Sequence, residues 1–132
     1  MKGYYMKLKE ILNLNQVIKL IIDNKELKID SLLKFRLLGI LKDIEPSVSN
    51  FEIIRNENIR EFGQPVNDEN GNIISYEIPQ DNEVSINKFK ESLEKLLDND
   101  VQISIHKLKA SDVFDKGLLA EYLVGLYSII EE

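Results

Sequence analysis

The sequence predicts a mostly helical α+β fold: a long antiparallel helical hairpin with a small β-ribbon between its helices, then a short strand and a C-terminal helix. Three observations predict it. Leu37, Leu41, Ile44, Val48 and Phe51 follow alternating steps of four and three, the spacing of a coiled-coil seam. Ile86, Phe89, Leu93, Leu96 and Leu97 repeat that spacing in a second helical segment. Between the two lies Asp68-Glu69-Asn70-Gly71-Asn72, and Asn-Gly is the strongest short hairpin signal.

The elements follow in order. Residues 1–6 read as a flexible arm, with Met6 as a second possible start. Leu8, Ile11, Leu12, Val17, Ile18 and Ile21 predict an amphipathic helix over 7–23. Asp30 is a good N-cap for a helix over 31–62, about 48 Å long at 1.5 Å per residue. Pro46 removes one of its hydrogen bonds, which predicts a kink or break near Asp43–Glu45. Gly63 and Pro65 end the helix. A type I′ turn at Asn70-Gly71 then opens a strand in which Ile74, Tyr76 and Ile78 alternate. Asp81 or Asn82 caps the next helix, over 83–98. Its apolar stripe faces the seam that runs from Leu37 to Phe62. Val101, Ile103 and Ile105 alternate with Gln102, Ser104 and His106 as a half-buried strand. A lone strand needs the ribbon, another strand or another chain. Ser111-Asp112 caps a short helical turn, and Gly117 separates it from a last apolar helix over 118–127. There Tyr122 and Tyr127 are expected to cover the core.

Composition bounds the function. The 132 residues suit one domain able to bury a core without staples. The absence of cysteine excludes disulfides, thiolate metal sites and cysteine nucleophiles. No apolar run approaches the ~20 residues of a membrane span, and the positive start leading into an amphipathic pattern is not expected to be a secretory signal. A net charge of −6 disfavours nucleic acid, since phosphate backbones repel it. The expected location is the bacterial host cytoplasm, with virion association open.

Catalytic and metal readings are weak. His106 is the only histidine and falls on the polar face of its strand, where exposure is expected. Counted as a calcium loop, the Asp-Glu-Asn-Gly-Asn segment places Val66 at the first ligand position, although Glu77 falls at the twelfth. A plain turn explains it better. No phosphate-binding glycine loop, catalytic triad or metal-spaced histidine pair is present, so no cofactor and no enzyme activity are expected. Arg55 and Asn58 lie on the extension of the seam, where polar groups specify register or partner. The plainer expectation turns both to solvent. Tyr4 and Tyr5, close to the terminus, are candidates for contact with another chain, with Tyr76, Arg60 and His106 as further interaction candidates. Lys34, Arg36, Arg55 and Arg60 are the positions to inspect for an anionic ligand. The seam and the lone strand together predict a homo-oligomer.

The helix carrying Arg55 and Phe62-Gly63, the Asp68-Glu69-Asn70-Gly71-Asn72 turn, Phe89 through Leu97, and Val101-Gln102-Ile103-Ser104-Ile105 come in a distinctive order. The layout resembles small proteins of unknown function encoded by tailed phages and prophages of low-GC bacteria, over roughly residues 30–110. The resemblance implies a phage setting and brings no catalytic residues. Two functions are then expected: a virion-assembly or structural accessory factor, or an inhibitor of a host defence system acting as acidic decoy or small-molecule sponge. The partner is a protein in the first case, a phage structural component. For a decoy it is a host defence protein.

Overall fold

A computed structural model of the chain describes residues 3–114, 118 and 120–131. It is an α+β structure dominated by helix. The chain divides into two compact units: Met1–Val48 with Asp100–Glu132 (unit 1), and Ser49–Asn99 (unit 2).

In unit 1, β1 (Gly3–Lys7) leads into α1 (Leu8–Asp23). The expected arm is corrected over residues 3–6. These are a strand, paired antiparallel with β4 (Asp100–Ser104) so that Gly3 faces Ser104 and Lys7 faces Asp100. Met1 and Lys2 lie outside the described residues. The pairing satisfies the backbone groups along the shared edge of the two strands, and Met6 and Ile103 lie in the core. The strand predicted at 101–106 thus finds its neighbour within the chain. Asp30 caps α2 (Ser31–Phe62) as expected, its carboxylate accepting from Leu33 N–H at 2.7 Å.

The helix α2 continues through Pro46, and the expected break does not occur. Pro46 and Lys42, whose carbonyl loses its donor, are both exposed, so the freed carbonyl lies on the wet side of the helix. Leu33, Leu37, Ile40 and Ile44 on the other side are buried with Ile11, Leu14, Ile18 and Ile21 of α1. The first half of the seam therefore belongs to the core of unit 1. The next helix, α3 (Glu83–Leu97), is at 15 residues and 1.5 Å per residue less than half as long as α2.

The C-terminal part of unit 1 contains two short strands that alternation does not reveal. These are β5 (Leu108–Lys109) and β6 (Ile130–Glu131), paired in parallel. Between them lie α4 (Ala110–Val113), α5 (Ala120–Leu126) and a 3₁₀ turn (Tyr127–Ile129). Lys109, not Ser111, holds the N-cap position of α4. Gly117 and Leu119 lie outside the described residues. Gly125 lets α5 approach α1 closely, since a Cβ there would stand 2.6 Å from a Val17 methyl. Tyr122 packs on the core and its hydroxyl accepts from Asn24 Nδ2 at 3.4 Å. Tyr127, expected as a core cover, is 71% exposed instead, because the chain has left the α-helix by that residue.

Unit 2 contains the second half of α2, the ribbon of β2 (Gln64–Asn67) and β3 (Ile73–Glu77), and α3. Asn82 is the cap of α3, accepting from Ser85 N–H at 3.1 Å. Gly63 follows the last helical residue, as expected, but for a steric reason. A Cβ there would fall 2.3 Å from the Ile59 carbonyl oxygen and 2.4 Å from that of Glu77. The turn is not type I′. Asp68 C=O accepts from Gly71 N–H at 3.1 Å, and Asp68 N–H donates to Asn72 C=O at 2.8 Å. Gly71 sits at φ 83°, so the loop is of the three-residue kind in which glycine takes the left-handed position after a turn.

Candidate interaction surface

The described part of unit 2 buries little. Phe51 and Asn58 on α2 are its buried side chains, and the apolar stripe of α3 stays half-buried. Asn58 departs from the solvent-facing expectation. It is 8% exposed, and its amide donates to Ser92 Oγ on α3 at 2.8 Å. A buried amide needs such a partner, and this one ties the two helices of the hairpin in register. Arg55, three residues earlier, is exposed. Helical geometry turns Arg60 to another side. Its guanidinium lies 5.8 Å from the centre of the Tyr76 ring on β3, a cation–π contact between helix and ribbon.

Within the ribbon, Gln64 faces Glu77, Pro65 faces Tyr76 and Val66 faces Ser75. The register then shifts so that Asn67 faces Ile73, which leaves Ile74 without a counterpart. This bulge interrupts the expected alternation of Ile74 with Tyr76 and Ile78. Ile73 and Ile74 are 56% and 65% exposed, whereas Tyr76 and Ile78 are half-buried.

Asp68 closes the loop with its side chain. One carboxylate oxygen accepts from Asn70 N–H at 2.8 Å and Asn72 N–H at 2.9 Å. These donors, the Asn72 N–H foremost, hold the Asp68 carboxyl below its ordinary value. The carboxylate therefore closes the turn. Among the described residues no group of three or more histidine, aspartate or glutamate side chains could hold a metal ion.

In unit 1, the backbone of Tyr4 pairs with Ile103 and that of Tyr5 with Gln102, so both are anchored despite their place near the terminus. The Tyr5 side chain is 67% exposed. His106 is exposed as expected, although β4 ends at Ser104 and leaves it beyond the strand predicted to run to 106. The four basic residues considered for an anion divide two and two between the units. Arg36 is ion-paired with Asp112, and Arg60 covers Tyr76. A shallow depression on unit 2 is lined by Gln64, Pro79, Asp81, Asn82, Glu83 and Val84. Its carboxylates repel an anionic ligand.

Charge is unevenly shared. Unit 2 has eleven Asp and Glu against five Lys and Arg, which leaves twelve of each in unit 1. Unit 2 therefore carries the whole net charge of −6, and unit 1 is neutral. Charge counted along the sequence contains this signal, but only the unit boundaries give it meaning.

No family model, curated protein or solved structure matches this chain. No helix among the described residues is long and apolar enough to cross a membrane.

Proposed function

We propose that this is a non-catalytic protein-interaction factor of phage type, and that unit 2 is the part that meets a basic protein partner. The observation that carries the proposal is the charge partition: a net −6 on the 51 residues of Ser49–Asn99, and none on the rest. Such a field steers a cationic surface into contact and repels nucleic acid and other acidic surfaces. The setting is the host cytoplasm, with association to the virion in the assembly case.

Two roles fit. One is a virion-assembly or structural accessory factor that contacts a basic phage component. The other is an acidic decoy that occupies the nucleic-acid-binding face of a host defence enzyme. Segregated acidic charge is what a decoy requires, and a small-molecule sponge gains nothing from it. The homo-oligomer expectation loses one of its motives, since β4 already has a strand neighbour.

The test is a pull-down from infected cells at low and high salt. It is run in parallel with a variant carrying Glu69→Gln, Glu77→Gln, Asp81→Asn and Glu91→Gln. A basic partner retained at low salt, and lost both at high salt and with the variant, supports the proposal. Capsid or tail proteins in the eluate mark an assembly factor, and a nucleic-acid-binding defence enzyme marks a decoy. A partner held equally by wild type and variant at both salts overturns it.

A further inference from the structure

We infer that the free edge of β3, from Ile73 to Glu77, takes an extended basic segment of the partner by strand addition. The inference rests on the proposed function and gives it a docking mode. Among the described residues the ribbon is a two-stranded sheet, so each strand has one edge without a neighbour. The edges are not alike. On β2, Pro65 lacks an N–H and blunts pairing. On β3 there is no proline, lysine or arginine, and its first two residues are isoleucines more than half exposed. Proteins ordinarily guard such an edge with a proline or a lysine. A bulge at Ile74 and the charge of Glu77 are the guards here, the second of which a basic segment turns into an attraction, and Ser75, Tyr76 and Glu77 keep regular register.

Charge selects the occupant. Asp68, Glu69, Glu77 and Asp81 lie on or beside β3 in the chain. Neither strand of the ribbon carries a lysine or arginine, and Arg60 of α2 is held over Tyr76. A second copy pairing edge to edge would bring one unit of net charge −6 against another. A segment alternating lysine or arginine with apolar residues meets the opposite condition. Its backbone extends the ladder, its apolar side chains cover the isoleucines, and its cations face the acids.

The probe is a short synthetic peptide alternating lysine and valine, titrated into the full chain and followed by amide NMR. A second peptide of the same sequence has alternate backbone nitrogens methylated, which removes donors and keeps the charge. Binding of the first peptide is expected to shift the amides of residues 73–77 and to weaken with salt. N-methylation, or Ile74→Lys in the protein, weakens it about tenfold. If the peptide binds with salt sensitivity but N-methylation and Ile74→Lys change nothing, strand addition is overturned while the acidic docking surface stands. If neither peptide binds at any salt, both fail. Sedimentation of wild type and Ile74→Lys checks the remaining occupant: a dimer abolished by the substitution assigns the edge to a second copy and overturns the inference.

Discussion

At Asn58 a polar side chain occupies a helix face that is otherwise apolar, and its one bond to Ser92 decides whether it helps or harms the hairpin. Asn58→Ala leaves the Ser92 hydroxyl to water, and Ser92→Ala leaves a buried amide unpaired. Each is expected to cost about 1–2 kcal/mol in urea unfolding. Asn58→Ala combined with Ser92→Ala should cost less than the two single changes together, because both polar groups are then gone. An additive result would show that the bond contributes nothing. Asp68 makes a pH prediction. Its carboxyl is held below the ordinary value when folded, so the charged form favours the folded loop. That contribution is complete above the unfolded carboxylate range, about pH 4. It is lost as pH falls through the depressed folded value. Amide protection at Asn70 and Asn72 should therefore be flat at neutral pH and fall only in acid. In Asp68→Asn it should be weaker throughout and insensitive to acid at this site.

Among the elements, α2 is the one whose local chemistry and observed form disagree. A proline at an interior position costs a helix about 3 kcal/mol relative to alanine. The helix nevertheless runs from Ser31 to Phe62, because buried Leu37, Ile40 and Ile44 hold the turns before it. Pro46→Ala is expected to raise stability by about 1–3 kcal/mol, read as a higher thermal midpoint. A drop would mean that the proline shapes the helix in a way the protein needs. At the amino end, β1 belongs to the sheet and not to an arm. A chain starting at Met6 loses the pairs Gly3–Ser104, Tyr4–Ile103 and Tyr5–Gln102. It should be less stable by about 1–3 kcal/mol, with faster amide exchange along residues 101–104.

Across the whole molecule, apolar burial and charge divide between the two units. The principal core lies within unit 1, while unit 2 holds the net charge and buries only Phe51 and Asn58. Local stability follows buried apolar contact, so unit 2 should open more readily. Native-state hydrogen exchange should find the amides of α3 less protected than those of α1, whose residues at 11, 14, 18 and 21 are fully enclosed. Equal protection would show that unit 2 draws stability from elsewhere.

Much of the fold was legible in local pattern. The helices α1 and α3, the Asp30 and Asn82 caps, the helix end at Gly63 and the exposure of His106 all follow from spacing and side-chain chemistry, which act within a few residues. What local pattern left open depended on distant partners. β1 carries no alternation of its own and is a strand only because β4 lies beside it. Asn58 is buried because Ser92, 34 residues away, supplies its bond. The seam of α2 predicted one long hairpin. The tertiary structure shared it between a core made with α1 and a smaller unit made with α3, since a 15-residue helix cannot cover one of 32. Net charge was readable by counting, but its concentration on one unit is a property of how the chain partitions in space. By itself, then, the sequence determined an α+β, mostly helical protein of acidic surface. The tertiary structure decided which strands pair, where the core lies and which part of the chain is charged, because each of these is set by contacts between residues far apart along the backbone.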